Sequence, residues 1–412
     1  MPVPSFQSVS IGIFVRVGSR YERSAESGVS HFIEHMLFKG TTRRPSAKII
    51  AETIEGVGGI SNAYTSQEAT VYYAKVASAQ ASTALDVLAD MVRYPLFDST
   101  EFEKERYVIG EELNMIYDSP DSWANVLLDQ LLWPNHPLGY NIVGTSDSLA
   151  TLSRDMLVSF FKAGYHPATS LVAVGGSFDP AKVVSELTAL LGDWEVGETS
   201  KFEPVPPLPT QARWHVEDRA IEQGHLCLAM PGLSRSDPNR YALSVLNAIL
   251  GEGMSSRLFL SIREEKGLAY AVDSSLSLLQ DTGSLAIYAG VDPERAPEAL
   301  QAILDELDRL CNESVPPTEL HKVKEYLKGR LVLSLEDSFS RAAWVAYQAL
   351  FLDEIKTPEE VLQSYDVVTI EDVLAVAQQV INPARYNLAV VGPFGEGEIL
   401  GRLMSGAPAT NI

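Results

Sequence analysis

The chain repeats itself, and this restricts its fold more than any other feature. Pro167-Ala168, followed by Val172-Ala173-Val174 and Gly176, recurs as Pro383-Ala384, followed by Leu388-Ala389-Val390 and Gly392, at an offset of 216 residues. At the same offset Ser153-Arg154-Asp155-Met156-Leu157 lies over Thr369-Ile370-Glu371-Asp372-Val373. Each of these two segments reads as a Ser/Thr cap opening an apolar helix. Thr100-Glu101-Phe102-Glu103-Lys104 lies over Thr318-Glu319-Leu320-His321-Lys322 at an offset of 218. These matches indicate duplication of a unit of about 200 residues. A length of 412 residues agrees, because one hydrophobic core stops growing near ~250–300 residues.

Glu195 to Ala212 contains Pro204, Pro206, Pro207 and Pro209, which lack backbone donors and favour extended chain. The expected partition is therefore a first domain over 1–197, a Pro-rich linker over 198–212 and a homologous second domain over 213–412. β-Branched or alternating runs at Val9–Val17, Ala69–Val76, Leu171–Val174, Ser284–Val291 and Asn387–Val391 alternate with long segments of helical period. The fold class expected is α+β: two homologous α/β sandwiches with mainly antiparallel sheets backed by helices. A doubly wound parallel sheet would want a Gly-rich turn after its first strand, and Val17-Gly18-Ser19-Arg20 does not supply one.

With 32 basic and 54 acidic residues the net charge is −22, which opposes binding to nucleic acid or anionic lipid. No apolar run reaches the ~18–20 residues that span a bilayer. Met1-Pro2-Val3-Pro4 lacks the basic and apolar stretches of a signal peptide, so a cytoplasmic chain is expected. Cys227 and Cys311 are the only cysteines and read as small hydrophobes.

The strongest local signal is Ser30-His31-Phe32-Ile33-Glu34-His35-Met36-Leu37-Phe38-Lys39-Gly40. On a helix His31 and His35 sit one turn apart on one face, able to grip one divalent ion, with Glu34 beside them. Phe32, Ile33, Met36 and Leu37 form the core-facing stripe. A catalytic zinc needs a third protein ligand. The segment Thr100–Tyr117 reads as a second helix opened by a Thr100/Glu103 capping box, with Glu105, Glu111 and Glu112 as candidates. Seven residues make about two turns, so Glu105 and Glu112 share a face, and one could ligate while the other orients the site.

His31-x-x-Glu34-His35, followed 77 residues after His35 by Glu112 with Glu105 seven earlier, resembles the inverted zinc motif of the pitrilysin/insulinase metallopeptidases. The text around it, Gly28-Val29-Ser30-His31 through Gly40-Thr41, Gly58-Gly59-Ile60-Ser61-Asn62-Ala63-Tyr64-Thr65 and Tyr72-Tyr73-Ala74, is similar to the short-chain branch holding mitochondrial processing peptidase and its bacterial relatives. The likeness runs over nearly the whole chain. It implies one Zn2+ per chain held by His31, His35 and Glu112, with Glu34 as the general base and Glu105 supporting the ligands. It implies substrate taken as an added β-strand along Asn62-Ala63-Tyr64-Thr65. Arg263 and Tyr270, at the junction of a helix expected over Ser255–Lys266 and a strand over Leu268–Val272, resemble a pair that touches the substrate backbone or the developing oxyanion.

The second half carries Arg330 where Glu112 would fall at the 218 offset, and Arg240–Gly251, in the place of the zinc helix, has no histidine. The expectation is a bacterial, cytoplasmic zinc metalloendopeptidase acting on extended, preferably basic, peptides or presequence-like segments. Relatives of this length imply a homodimeric chamber, with Arg263 and Tyr270 acting across the interface. The competing reading is a noncatalytic core subunit, or a subunit needing a different partner chain. Relatives also carry roughly 20 more residues before the first matching strand, so the first strand of the sheet is expected to be missing or short.

Overall fold

The computed structural model describes residues 1–199, 201–207, 209–395 and 400–401. Positions 200 and 208 of the expected linker and most of the last residues of the 213–412 domain lie outside that description. The first sheet is built from β1 (Ser8–Val15), β2 (Ile60–Thr65), β3 (Thr70–Ala77) and β4 (Ser170–Gly176) in the order β2-β3-β1-β4, every neighbour antiparallel. The second contains β5 (Arg213–Asp218), β6 (Gly224–Pro231), β7 (Ala269–Leu278), β8 (Gly283–Val291) and β9 (Asn387–Gly392) in the order β5-β9-β6-β8-β7. Only β5, which pairs with β9, runs parallel to its neighbour. The duplicated α+β topology is thus direct: β6, β7, β8 and β9 repeat β1, β2, β3 and β4.

The counterpart of β5 in the first sheet is a parallel bridge between Pro2 and Gly176, with the Val3 amide donating to Gly176 O at 2.7 Å. The helix caps at Ser153 and Thr369 form as expected, each side chain accepting from the amide three residues on. The Thr100/Glu103 box does not. Asp98 Oδ1 instead accepts from the amides of Thr100 and Glu101, and Glu103 turns to Arg106.

The central strands are buried on both faces, which needs cover on both sides. In the second unit one face carries the main core, where Leu226, Leu228 and Met230 meet Leu243, Leu246, Ile249, Ile303 and Val376. The other face is covered by a helix whose sequence belongs to the opposite half. Residues 116–139 join the second compact unit, and residues 332–355 join the first. The helices used below are α1 (Val29–Leu37), α2 (Ser99–Asp118), α3 (Pro120–Leu132), α4 (Arg240–Leu250) and α5 (Ser338–Phe351). α3 lays Ala124, Leu127 and Leu128 on Cys227, Ala229, Ala389 and Val391 of the second sheet. α5 lays Ala342 and Ala346, with Phe339 and Tyr347, on Phe14, Val71 and Ala173 of the first. The linear partition at 198–212 therefore follows the duplication of the sequence, while the packed units are stitched from three segments each.

α5 lies very close to β4, because Gly175 has no side chain to hold it off. A Cβ at Gly175 would sit 2.2 Å from Ser338 O and 3.1 Å from the Ala342 nitrogen. Gly175→Ala should lower stability by about 1–3 kcal/mol through overpacking, read as a reduced denaturation midpoint at unchanged m-value. Gly329→Ala, in the exposed helix Pro317–Ser334 with nothing within 4 Å of the new Cβ, should raise stability by about 0.5–1 kcal/mol.

Candidate metal centre

α1 starts sharply. Gly28 is left-handed at φ 91°, and a Cβ there would meet Val143 O at 2.6 Å. The buried carboxyl of Glu22 accepts from the amides of Gly28 and Ser30, both at 2.8 Å, satisfying donors that the first turn of a helix leaves unpaired. Phe32, Ile33, Met36 and Leu37 are fully buried. His31, Glu34 and His35 stay half-buried on the other side.

Phe32 stacks on Phe102 of α2 with ring centroids 4.7 Å apart and planes inclined by 16°. That stack ties the two helices together, and Glu105 and Glu112, about one and three turns further along α2, face the histidines. Glu112 Oε2 lies 3.7 Å from His31 Nε2 and 3.5 Å from His35 Nε2. The ligand atoms of His31, His35 and Glu112 are all within 4.8 Å of one another, and among the described residues no other His, Cys, Asp or Glu group meets that condition. A tetrahedral zinc with bonds of ~2.0–2.1 Å separates its ligand atoms by roughly 3.3 Å, so the two-nitrogen, one-oxygen set fits the ion with little movement and leaves a fourth position open.

Glu105 is 4 % exposed, and both its oxygens are committed. Oε2 lies 3.0 Å from His35 Nδ1 and Oε1 lies 2.5 Å from Lys39 Nζ. A carboxylate can only accept, so Nδ1 carries the hydrogen and Nε2 offers its lone pair at the metal position. Lys39 lies four residues beyond His35, just past the end of α1, and no role for it follows from the sequence reading, although that spacing is a signal that could have found it. Glu111 is exposed and forms no part of the group.

Glu34 Oε2 accepts from Thr65 Oγ1 at 2.6 Å. Thr65 ends β2, which is the outer strand of the first sheet. Along the same strand Asn62 Oδ1 accepts from the Ala63 amide at 2.8 Å, and Tyr64 OH accepts from Tyr347 OH of α5 at 3.1 Å. Arg263 and Tyr270 belong to the second unit. The Arg263 guanidinium lies 5.2 Å from the Tyr270 ring centroid and 4.8 Å from that of Phe259. The helix expected over Ser255–Lys266 is a wide π-helix at Phe259–Glu265. The strand after it has a register shift between Ala269 and Ala271, which aims Tyr270, 78 % exposed, outward.

Burial, reinforced by the neighbouring His35, pushes His31 down to about 4. Burial also acts on His35, but its hydrogen bond with Glu105 and the charges of Glu112 and Glu34 outweigh it and hold the ring above the usual value. Burial raises the Glu34 carboxyl against the opposing pull of Thr65 and His35. The Glu105 carboxyl is lowered, since His35 and Lys39 overcome its burial.

Residues 3–146 match the family model described as insulinase, peptidase family M16, and residues 151–327 match the one described as peptidase M16 inactive domain. Over 393 residues the chain is 38 % identical to YmxG of Bacillus subtilis, described as an uncharacterized zinc protease, covering 95 % of each. A zinc protease of Streptomyces coelicolor, likewise uncharacterized, is 36 % identical over 397 residues, 95 % of this chain and 86 % of that one. In fold the chain is similar to a protease from Helicobacter pylori, with a TM-score of 0.90 at 24 % identity, covering 95 % of this chain and 96 % of that one. A peptidase M16 inactive domain from Pseudomonas fluorescens gives a TM-score of 0.89 at 21 % identity over 95 % and 94 %.

Two measurements follow from this geometry. Glu105→Gln should weaken zinc binding about 10- to 100-fold, read by competition with a chromophoric chelator. His35 must lose its Nε2 proton to ligate, so zinc affinity should rise with pH through the range of that raised imidazole. His31, neutral down to about 4, should add nothing above that. Calorimetry in buffers of different ionisation enthalpy should report proton release on zinc binding that dwindles as pH rises through that range.

Proposed function

The chain belongs to the insulinase family of M16 peptidases, and from that premise we propose that it is a bacterial, cytoplasmic zinc metalloendopeptidase that cuts extended peptides or presequence-like segments. The observation that carries the reading is the convergence of His31, His35 and Glu112 with Glu34 on the same helix face. The zinc-protease names of the bacterial relatives support it. Among the described residues no helix is long and apolar enough to cross a membrane.

His31 Nε2, His35 Nε2 and Glu112 Oε2 would hold the ion. When bound, zinc supplies Lewis acidity, polarising a peptide carbonyl and acidifying water. Glu34 does the proton work. With Oε2 engaged by Thr65, Oε1 takes the proton from the attacking water and then delivers it to the departing amide nitrogen. Burial makes this carboxylate a stronger base than an exposed one. Glu105 holds His35 in the ligating tautomer.

The open edge of β2 suits a peptide added as a further strand, bound through its main chain with little demand on sequence. A net charge of −22 favours basic peptides. Arg263 and Tyr270 would meet the substrate backbone or oxyanion in a homodimer whose catalytic half faces the second half of its partner. The description of residues 151–327 as an inactive domain fits one zinc per chain. It also keeps in view a second reading, a noncatalytic subunit or one that needs a different chain, although every motif residue is present.

The purified chain should hydrolyse a quenched peptide library. Chelation should abolish turnover and zinc restore it, and Glu34→Gln should lower kcat about 10²- to 10⁴-fold while zinc stays bound. A folded, zinc-loaded chain that cuts nothing would favour the noncatalytic reading. Light scattering after size exclusion should give twice the chain mass.

A further inference from the structure

Thr65 occupies the one position where the open edge of the first sheet meets the base. It is the last residue of β2 and pairs with Thr70 of β3. The turn after it is closed by the Ser66 amide donating to Ala69 O at 2.8 Å and by Ser66 Oγ, which accepts from the Ala69 amide at 3.1 Å. That closure sets the alternation of an antiparallel ladder. The peptide groups of Tyr64 and Asn62 face β3, and those of Thr65, Ala63 and Ser61 face the open edge. The Ala63 amide, which turns to its neighbour's Asn62 Oδ1 at 2.8 Å, agrees with this parity.

The turn is held from its far side as well. The amides of Ser19 and Arg20 donate to Ser66 O and Gln67 O at 3.2 and 2.9 Å. A Cβ on Gly18 would fall 2.1 Å from Ser66 O, so the approach requires glycine. Beneath it Arg20 and Glu68 form a buried ion pair at 2.8 Å, their side chains 0 % and 2 % exposed. Thr65 is thus anchored by its backbone, and its β-branched side chain has few rotamers to choose from. Its single hydroxyl hydrogen is spent on Glu34 Oε2 at 2.6 Å, so the side chain has no donor left for a peptide at the edge.

We propose that Thr65 is the positioning residue of Glu34: its hydroxyl fixes the carboxylate so that Oε1 is the oxygen presented for proton transfer, while its main chain forms part of the edge that receives the peptide. The register of a bound strand and the aim of the base are then set by one residue. This deepens the reading of the chain as a peptidase and rests on it. The side chain of Thr65 accordingly serves the base and not the substrate.

The test uses the zinc-loaded full chain and three variants. Thr65→Val keeps the shape and the strand and removes the hydroxyl; Thr65→Ala does the same should the valine variant not fold. Thr65→Ser restores the donor. Expected for valine or alanine is a kcat about 10- to 100-fold lower, with KM within about 3-fold and zinc affinity unchanged, and recovery of most of kcat in the serine variant. In a Glu34→Gln background, removing the hydroxyl should cost nothing further. Crystal structures should show Glu34 displaced or in more than one conformer in Thr65→Val and restored in Thr65→Ser. A loss that appears in KM alone, an unchanged kcat, or a Glu34 carboxylate that stays in place without the hydroxyl would overturn the proposal. If the unaltered chain cuts no peptide, the peptidase reading falls, and the structures still decide whether Thr65 holds Glu34.

Discussion

The candidate metal centre depends on how two helices are held against each other. Two imidazoles on α1 and a carboxylate on α2 can converge only while the helices keep a fixed separation and rotation, and the Phe32–Phe102 stack is a direct tie between them. Phe102 precedes Glu105 and Glu112 by three and ten residues, so all three occupy one stripe of α2. Rotation of either helix by one residue, about 100°, would carry the ligands apart. Around this contact the same economy recurs: Glu105 spends one oxygen on His35 and the other on Lys39, and Glu34 commits Oε2 to Thr65. Three carboxylates and one ammonium surround two imidazoles, a field suited to a dication.

How much of this was legible in the sequence depended on distance along the chain. His31, Glu34 and His35 declare themselves because helical spacing converts directly into a shared face. The choice among Glu105, Glu111 and Glu112 did not follow from spacing, since Glu105 and Glu112 lie on one stripe and differ only in their distance from α1. Resemblance to a known family pointed to Glu112, whose Oε2 the structure places 3.7 and 3.5 Å from the Nε2 atoms of His31 and His35. Thr65 and Glu22 were out of reach, because their roles come from contacts made across a sheet and a loop. Asp98 caps α2 in place of the Thr100/Glu103 box, a choice spacing does not decide because several acidic residues compete at that helix start. The sheets themselves were readable, but the cover on their second faces was not. The one clue, unbroken apolar runs such as Leu388-Ala389-Val390-Val391, says that a strand is buried on both sides and nothing about which helix buries it.

The second half shows what remains when the chemistry is removed and the fold is kept. At the 216 offset His31, Glu34 and His35 fall on Asn247, Leu250 and Gly251 of α4 and the turn after it. Asn247 turns inward, where its Oδ1 accepts from Ser274 Oγ at 2.8 Å. Gly251 lies so near β7 that a Cβ would meet the Ser274 nitrogen at 2.5 Å. Positions that face the candidate metal site in one half are closed by packing in the other. Specialisation of the second half is visible instead at the π-helix and the shifted register that display Arg263 and Tyr270.

The exchange of α3 and α5 has a consequence during synthesis. Ser10 and Ser338 share a buried hydrogen bond across 328 residues of chain. At ~5–20 residues per second a ribosome takes roughly 15–65 s to make that stretch. Once β4 has been made the first sheet can form, yet the face that α5 will cover, with Phe14, Val71 and Ala173, stays bare until that stretch is complete. α3 has the opposite problem, emerging early with its apolar side ready and no second sheet to receive it. Completion of either unit therefore waits on nearly the whole chain, and nascent forms present sticky surfaces that chaperones or self-association would find first.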